Sequence, residues 1–121
     1  MTAILTEPVE APVITELTVQ DVCGLAAEYI EEHGWCQFAL YKADGRTCAM
    51  GAAYKVLGIE GLEDRVNTPE WKLYKAYDGA IKSYVNNTTL TDMHPDTAFW
   101  NDAEGQTKDE VVRVLRSIAN S

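Results

Sequence analysis

The sequence predicts a single α+β domain that is mostly α-helical, with about four helices packed around a short β-hairpin. Four observations lead to this prediction. Apolar residues recur at helical spacing in several segments, and an aromatic-rich segment is followed by an Asp-Gly turn. The chain of 121 residues is long enough to bury one hydrophobic core but not two. The hydrophobic fraction of 46% is typical of a globular protein.

The first part of the chain differs in composition from the rest. Pro8 and Pro12 stand among acidic residues there, and prolines at such spacing do not suit a regular helix. We therefore expect a flexible or extended N-terminal arm over residues 1–17 and one globular domain over residues 18–121.

The first helix is predicted over residues 19 to about 33. Thr18 is a good N-cap, and Asp21 falls in the first turn, where the helix dipole favours an anion. Gly34 supplies the left-handed residue that commonly ends a helix.

The β-hairpin is predicted directly after this helix. Residues 35–41, with the sequence WCQFALY, are rich in aromatic side chains that favour strands. The dipeptide Asp44-Gly45 favours a tight two-residue turn, so the second strand is expected near Arg46 and Thr47.

A second helix is predicted over residues 48–57, with the sequence CAMGAAYKVL. Thr47 is its expected N-cap, and Gly58 is expected to end it. Gly51 and the alanines around it are so small that the backbone of a neighbouring segment must approach closely, because Gly inside a helix otherwise costs about 1 kcal/mol.

Two further helices complete the prediction, one over about 69 to 85 and one over about 108 to 119. Thr107 and Glu110 fit a capping box at the start of the last helix. The segment 87–106 between them is polar and is predicted to be an irregular loop pinned to the domain. The apolar residues expected to pin it are Met93, Phe99 and Trp100.

The charge balance limits the classes of partner. Nineteen acidic and ten basic residues give a net charge of −9, which repels phosphate backbones and anionic lipid. We therefore expect no direct nucleic-acid binding and no membrane association. No apolar run approaches the roughly 18 residues of a membrane span, so we expect a cytoplasmic protein. The three cysteines are an odd number, so we expect reduced thiols.

Cys48 is the first candidate for catalysis. A thiol in the first turn of a helix meets unpaired N–H groups and the positive end of the helix dipole, which lower its pKa. His33 and His94 are the available bases, and Asn101 or Asp102 could orient one of them. A buried structural cysteine is the alternative, and it is favoured because no second motif supports catalysis.

A metal site is the second candidate. His33, Cys36, Cys48 and His94 supply soft ligands for zinc, but their spacing lacks the paired ligands of most structural zinc sites. No metal or other cofactor is therefore predicted. A disulfide between Cys36 and Cys48 is not expected either, because the predicted turn puts Cys36 opposite a residue beyond Cys48.

The third candidate is the tripeptide Trp100-Asn101-Asp102 before the last helix. With Trp35, these residues are the candidate binding residues. The structural alternative is that Trp100 fills the core while Asn101 and Asp102 hydrogen-bond backbone groups of the turn, and the sequence favours this alternative.

Three motifs follow one another in the chain: GWCQ at 34–37, CAMGA at 48–52 and WND at 100–102. In this order they resemble a family of small uncharacterised proteins from actinobacteria and their phages, a domain of unknown function. The resemblance covers residues 18 to about 119. It implies an actinobacterial or phage origin, and it brings no activity or ligand to any residue. If the origin is a phage, analogy alone favours an accessory factor that binds a host protein, because small acidic phage proteins without a clear catalytic set often have that role.

The leading hypothesis is a cytoplasmic protein-interaction protein that binds a host protein or a second copy of itself as a homodimer. The runner-up is a small enzyme or ligand-binding module that uses Cys48 and His94. A third hypothesis is an acidic decoy that occupies a nucleic-acid-binding protein. An enzyme is the less favoured class, since no complete catalytic set can be identified.

Overall fold

The computed structural model describes residues 16–60, 67–88 and 96–121, and this part of the chain forms five α-helices. They are α1 (Val19–His33), α2 (Ala49–Leu57), α3 (Pro69–Thr88), α4 (Thr97–Asn101) and α5 (Lys108–Ala119). Most of the predicted N-terminal arm, residues 1–15, lies outside the described residues. None of the described helices combines the length and the apolar character that crossing a membrane requires.

α1 begins and ends where the sequence predicts. The Thr18 hydroxyl accepts a hydrogen bond from the Asp21 N–H at 3.1 Å, and the Asp21 carboxylate accepts one from the Thr18 N–H at 3.0 Å. This reciprocal capping box satisfies two backbone donors that a helix start otherwise leaves free. Gly34, with φ 100°, ends the helix, and its N–H donates to the Ile30 carbonyl.

The hydrophobic core lies where α1, α2, α3 and α5 meet, and α1 packs most extensively against α5. Burying a side chain of the size of Leu or Ile contributes about 1.5–3 kcal/mol, so these contacts supply most of the stabilisation. The largest fully buried apolar side chains are Tyr77, Ile30, Ile59, Ile81, Leu115, Val22 and Val111.

The predicted close approach to α2 is confirmed, and the neighbour is the loop that precedes the helix. A Cβ atom on Gly51 would lie 2.1 Å from the Leu40 carbonyl oxygen, which is far inside contact distance. On the other side of α2, the buried Tyr77 hydroxyl donates to the Ala49 carbonyl at 2.8 Å. The start of α2 is therefore held between α3 and this loop.

The predicted β-hairpin is not confirmed, because the described residues contain no β-sheet. Thr47 makes two isolated bridges instead, a parallel one with Trp35 and an antiparallel one with Tyr41. Because one residue serves both sides, the chain between Trp35 and Tyr41 must bend, and Phe38 adopts φ 67° there. The prediction of a mostly helical domain is confirmed, whereas its β part consists of these two isolated bridges.

The turn at Asp44-Gly45 is nevertheless present. Gly45 has φ 101°, which favours glycine, and the Lys42 N–H donates to the Arg46 carbonyl at 2.9 Å. The Asp44 carboxylate accepts hydrogen bonds from the backbone N–H and the Nε of Arg46. The Asp-Gly dipeptide therefore predicted the turn correctly, although the residues that flank the turn form a single antiparallel bridge.

The cap of α2 differs from the prediction. Cys48, not Thr47, is the N-cap, and its sulfur accepts a hydrogen bond from the Gly51 N–H at 3.3 Å. The backbone of Thr47 is engaged in the bridges on both sides, and its buried hydroxyl has no hydrogen-bond partner among the described residues.

The predicted loop 87–106 contains a short helix, α4. Asp96 caps it by accepting a hydrogen bond from the Phe99 N–H at 2.8 Å, a pattern that the sequence analysis missed. α3 extends to Thr88, past its predicted end. Residues 89–95, which include Met93, lie outside the described residues.

α5 confirms its predicted range, but its capping box is only half formed. The Thr107 hydroxyl accepts a hydrogen bond from the Glu110 N–H at 3.1 Å. The Glu110 carboxylate binds Arg113 at 2.7 Å instead of the Thr107 N–H, which donates to the Gln106 side chain. The arginine lowers the pKa of the Glu110 carboxyl, chiefly through these hydrogen bonds.

Candidate binding site

Asn101, the last residue of α4, is fully buried and connects three parts of the fold. Its Oδ1 accepts hydrogen bonds from Trp35 Nε1 at 2.8 Å and from the Ala49 N–H at 3.0 Å. Its Nδ2 donates to the Cys36 carbonyl at 3.1 Å and to Asp102 Oδ1 at 2.9 Å. The amide therefore uses all its donors and acceptors, and a flipped amide would set donors against donors.

One of these hydrogen bonds caps a different helix. Ala49 is the first residue of α2, and the N–H groups of a first helical turn have no partner within the helix. The Asn101 side chain satisfies this buried donor across the fold. Because an unpaired buried polar group costs about 1–3 kcal/mol, Asn101 fixes the position of α4 against α2.

The residues beside Asn101 hold the loop that precedes α2. Asp102 Oδ1 accepts a hydrogen bond from the Phe38 N–H at 2.9 Å. Gln37 Nε2 donates to the Asn101 carbonyl at 3.2 Å and to the Ala103 carbonyl at 3.0 Å. The backbone around Phe38 is therefore tied to the end of α4.

This arrangement holds Phe38 in an unusual backbone conformation. It is the one non-glycine residue with positive φ in the described part of the chain, and 77% of it is exposed. The left-handed conformation costs an ordinary residue about 1–2 kcal/mol. Such strain persists only where the surrounding structure stabilises it, and it clusters at functional sites. The fold thus accepts strain while it holds an aromatic ring in solvent.

Phe99 lies close to Phe38 on the same surface and is 57% exposed. The expectation that it would pin its segment to the core is therefore wrong. The two rings line one groove of about 470 Å³, which we call the aromatic face. Its lining residues are Phe38, Asp96, Ala98, Phe99, Asp102, Ala103 and Glu104.

A second depression, the side cleft, adjoins the aromatic face. It has a volume of about 380 Å³ and shares Phe38 and Asp102 with the aromatic face. Phe38 therefore forms a ridge between two depressions. The residues that line the side cleft are Phe38, Ala39, Leu40, Cys48, Met50 and Asp102.

The predicted binding residues come together, but most of them support the surface from below. Trp100 is 8% exposed and belongs to the core, as the structural alternative expects, and Trp35 is partly buried and packs against the core. Asn101 and Asp102 bind backbone groups of distant segments, not of their own turn. Only Asp102 among these four residues lines the aromatic face.

Cys48 lies at the edge of the side cleft with only 2% of the residue exposed. Burial raises the pKa of its thiol, and the hydrogen bonds from the N–H groups of Gly51 and Met50 offset this only in part. The shift is opposite to the one that the helix start alone predicts. No described residue of the side cleft is a histidine, and His94 lies outside the described residues.

The weak candidates for zinc ligands can be assessed only within the described ranges, because His94 lies outside them. No three His, Cys, Asp or Glu side chains there are close enough to hold a metal ion. His33 packs against the Tyr29 ring at a centroid distance of 4.2 Å, and the Cys36 thiol donates to the Ala39 carbonyl. All three cysteines are buried free thiols.

Comparison with known proteins places these features in a family. Neither the curated proteins nor the solved structures contain a match to this chain. A family model described as "Family of unknown function (DUF6197)" matches residues 14–121, a range that includes all five described helices and the aromatic face. The chain therefore belongs to the DUF6197 family, a family of unknown function.

Proposed function

We propose that this domain is a protein-interaction module that binds its partner through the aromatic face. The observation that carries the proposal is Phe38, a large apolar side chain that is 77% exposed on a strained backbone. Scattered exposed apolar residues are common and need no explanation. Two exposed phenylalanines on one groove, one of them held there by Asp102, are a different case.

The geometry is suited to binding because the backbone that carries the ring is held in place before any partner arrives. The Gln37 side chain and the Asp102 carboxylate hold the backbone at Gln37 and at the Phe38 N–H, directly before the ridge. A preorganised aromatic side chain loses little conformational freedom on binding, and such residues dominate the energetics of many interfaces. The surface therefore has the properties of an interaction hot spot.

The resemblance to actinobacterial and phage proteins adds a biological setting to this proposal. An accessory factor in the host cytoplasm would use such a surface to bind a host protein. The enzyme hypothesis receives less support, because the Cys48 thiol is buried and its raised pKa keeps it protonated at neutral pH.

The test is selection of a random 12-residue peptide display library on the immobilised full-length chain. Each selected peptide is then measured against wild type, Phe38→Asn and Leu25→Gln. We expect peptides whose affinity falls at least tenfold with Phe38→Asn and stays within twofold with Leu25→Gln. Leu25 is a matched control because it is an exposed apolar residue, 37% exposed, that lines neither the aromatic face nor the side cleft.

Phe38→Asn should leave the fold intact. Asn adopts the left-handed conformation more readily than Phe, which offsets the strain. Phe38 is 77% exposed, so the substitution sacrifices about a quarter of the burial energy of a Phe, or about 0.5 kcal/mol. No selected peptide, or peptides that bind the variant as well as wild type, would overturn the proposal.

A further inference from the structure

The aromatic face has acidic side chains along its rim. Building on the proposed function, we infer that its ligand is a basic protein segment in which an apolar side chain is flanked by Arg or Lys. The aromatic ridge and the carboxylates around it together define this chemistry.

The charge of the aromatic face has one sign. Asp96, Asp102 and Glu104 contribute carboxylates to its lining, and no Lys or Arg among the described residues lines either this face or the side cleft. The whole chain carries a net charge of −9, which reinforces this local field. A basic segment would therefore be attracted to this surface, whereas an acidic one would be repelled.

The carboxylates keep capacity for a ligand after their internal hydrogen bonds are made. Asp96 accepts from the Phe99 N–H, and Asp102 Oδ1 accepts from Phe38 and Asn101. An ionised carboxylate offers about four acceptor positions, so both residues retain free positions. Glu104 is exposed, so its carboxylate is accessible to an incoming cation.

The aromatic rings favour the same ligand. A guanidinium or ammonium group above the face of a Phe ring is attracted by the ring's quadrupole. The exposed rings of Phe38 and Phe99 stand among the carboxylates, so one Arg side chain can contact a ring and a carboxylate together. Arg suits this position best because its guanidinium is planar and weakly hydrated.

The side cleft accounts for the apolar part of the ligand. Leu40 and Met50 give it apolar walls, and in the described part of the chain Asp102 is the one charged residue that lines it. A peptide that crosses the Phe38 ridge can place an apolar side chain in this cleft while the neighbouring residues reach the acidic rim. Exclusion of water from the cleft then supplies affinity, and the charges supply selectivity.

Another groove of the protein lacks this combination. The groove between α1 and α5 is lined by Arg116 as well as Asp21 and Glu28, so its charges are mixed. Its largest exposed apolar residue, Leu25, is 37% exposed and is not aromatic. The single sign of charge beside exposed aromatic rings is therefore a property of the aromatic face and not of every depression on an acidic chain.

The experiment sequences the peptides selected on the full-length chain and compares them with the unselected library. We expect enrichment of Arg and Lys beside an apolar residue among peptides whose binding requires Phe38. Affinity of the best synthetic peptide should fall at least fivefold between 0.1 and 1 M NaCl, over which the Debye length shrinks from about 10 to about 3 Å.

Two charge reversals supply the matched test. Glu104→Lys, at the rim, should weaken the best peptide about three- to tenfold, as expected for an exposed attraction that becomes a repulsion. Glu28→Lys changes the net charge equally but lies in the α1–α5 groove, so it should change affinity less than twofold. The difference between the two variants isolates the local field.

The outcomes separate this inference from the proposed function. Phe38-dependent peptides that are neutral or acidic, or equal effects of the two charge reversals, would overturn the basic ligand and leave the interaction site standing. Absence of any Phe38-dependent peptide would overturn both.

Discussion

Replacement of Asn101 by Asp tests how the site is held together. The two side chains have nearly the same shape, but Asp replaces the Nδ2 donor with an acceptor. The new oxygen would face the Cys36 carbonyl, now 3.1 Å from Nδ2, and Asp102 Oδ1, now 2.9 Å from it. The bonds from Trp35 and Ala49 to the other oxygen would remain.

The size of the effect follows from these contacts. Loss of two hydrogen bonds costs about 0.5–1.5 kcal/mol each, and the buried carbonyl left unpaired costs about 1–3 kcal/mol. Repulsion from the neighbouring Asp102 adds to this cost. We therefore expect Asn101→Asp to lower the free energy of unfolding by about 3–5 kcal/mol at pH 8, a large part of the stability of a small domain.

The destabilisation should depend on pH in a defined direction. Burial between two acceptors favours the protonated form of the introduced carboxyl, which raises its folded-state pKa above the unfolded value of about 3.9. The folded state then binds more protons, so stability is greater at low pH and is lost as pH rises through that window. We expect the cost of Asn101→Asp to be at least about 1 kcal/mol smaller at pH 5 than at pH 8.

The assay is urea unfolding followed by tryptophan fluorescence at both pH values, for wild type, Asn101→Asp and Asn101→Ala. The alanine variant also loses the hydrogen bonds of Asn101 but introduces no titrating group, so its cost relative to wild type should be the same at both pH values. Stability of Asn101→Asp within 1 kcal/mol of wild type at pH 8, or an equal cost at both pH values, would refute the account of Asn101.

Three further predictions concern packing and burial. Gly51→Ala should destabilise by about 1–3 kcal/mol, because its Cβ meets the Leu40 carbonyl, whereas Gly79→Ala in open space on α3 should stabilise by up to about 1 kcal/mol; chemical denaturation that finds the same sign for both would contradict this. Thr47→Val should raise the melting temperature, because the buried hydroxyl lacks a partner among the described residues, and a lower value would show that the hydroxyl is satisfied. Burial raises the pKa of Cys23 to about 12. Because the unfolded thiol ionises at lower pH than the folded one, the free energy of unfolding should fall as pH rises from about 9 toward 12. Wild type should therefore lose more stability than Cys23→Ala between pH 8.5 and 10.5, and parallel curves would argue against this burial.

Much of the helical fold is readable from local sequence signals. Thr18 and Gly34 mark the two ends of α1, and Gly58 ends α2 in the left-handed conformation. Caps and helical periodicity depend on residues close together in the chain, which is why the sequence reveals them. The small residues of α2 also predicted a close backbone neighbour, and Gly51 confirms it.

The predicted hairpin is not confirmed, because tertiary contacts override the local preference for a strand. Aromatic residues around Phe38 favour a strand. In the structure, however, Asp102 accepts a hydrogen bond from the Phe38 N–H, and the Gln37 side chain donates to a carbonyl at the end of α4. These partners are more than sixty residues apart in the chain. No local pattern encodes such contacts. The same contacts explain why the sequence did not indicate Phe38 as a candidate site residue. The omission of α4 is different, because Asp96 is a recognisable N-cap residue in the sequence.

The candidate site was identified only in part for the same reason. The sequence singled out the tripeptide beginning at Trp100, and in the structure its Asn101 and Asp102 hydrogen-bond the start of α2 and the backbone of Phe38. Which side chains face solvent depends on packing between α4 and the loop before α2, so the exposed rings of Phe38 and Phe99 could not be read from sequence.

The most direct test of the account is a paired measurement on Phe38→Asn, in which peptide affinity and the free energy of unfolding are determined on the same preparation. We predict at least a tenfold loss of affinity for the library-selected peptides with unfolding free energy within about 1 kcal/mol of wild type. That result would show that Phe38 is exposed for binding. Unchanged affinity, or a loss of stability above about 2 kcal/mol, would instead make Phe38 a structural residue and contradict the central claim.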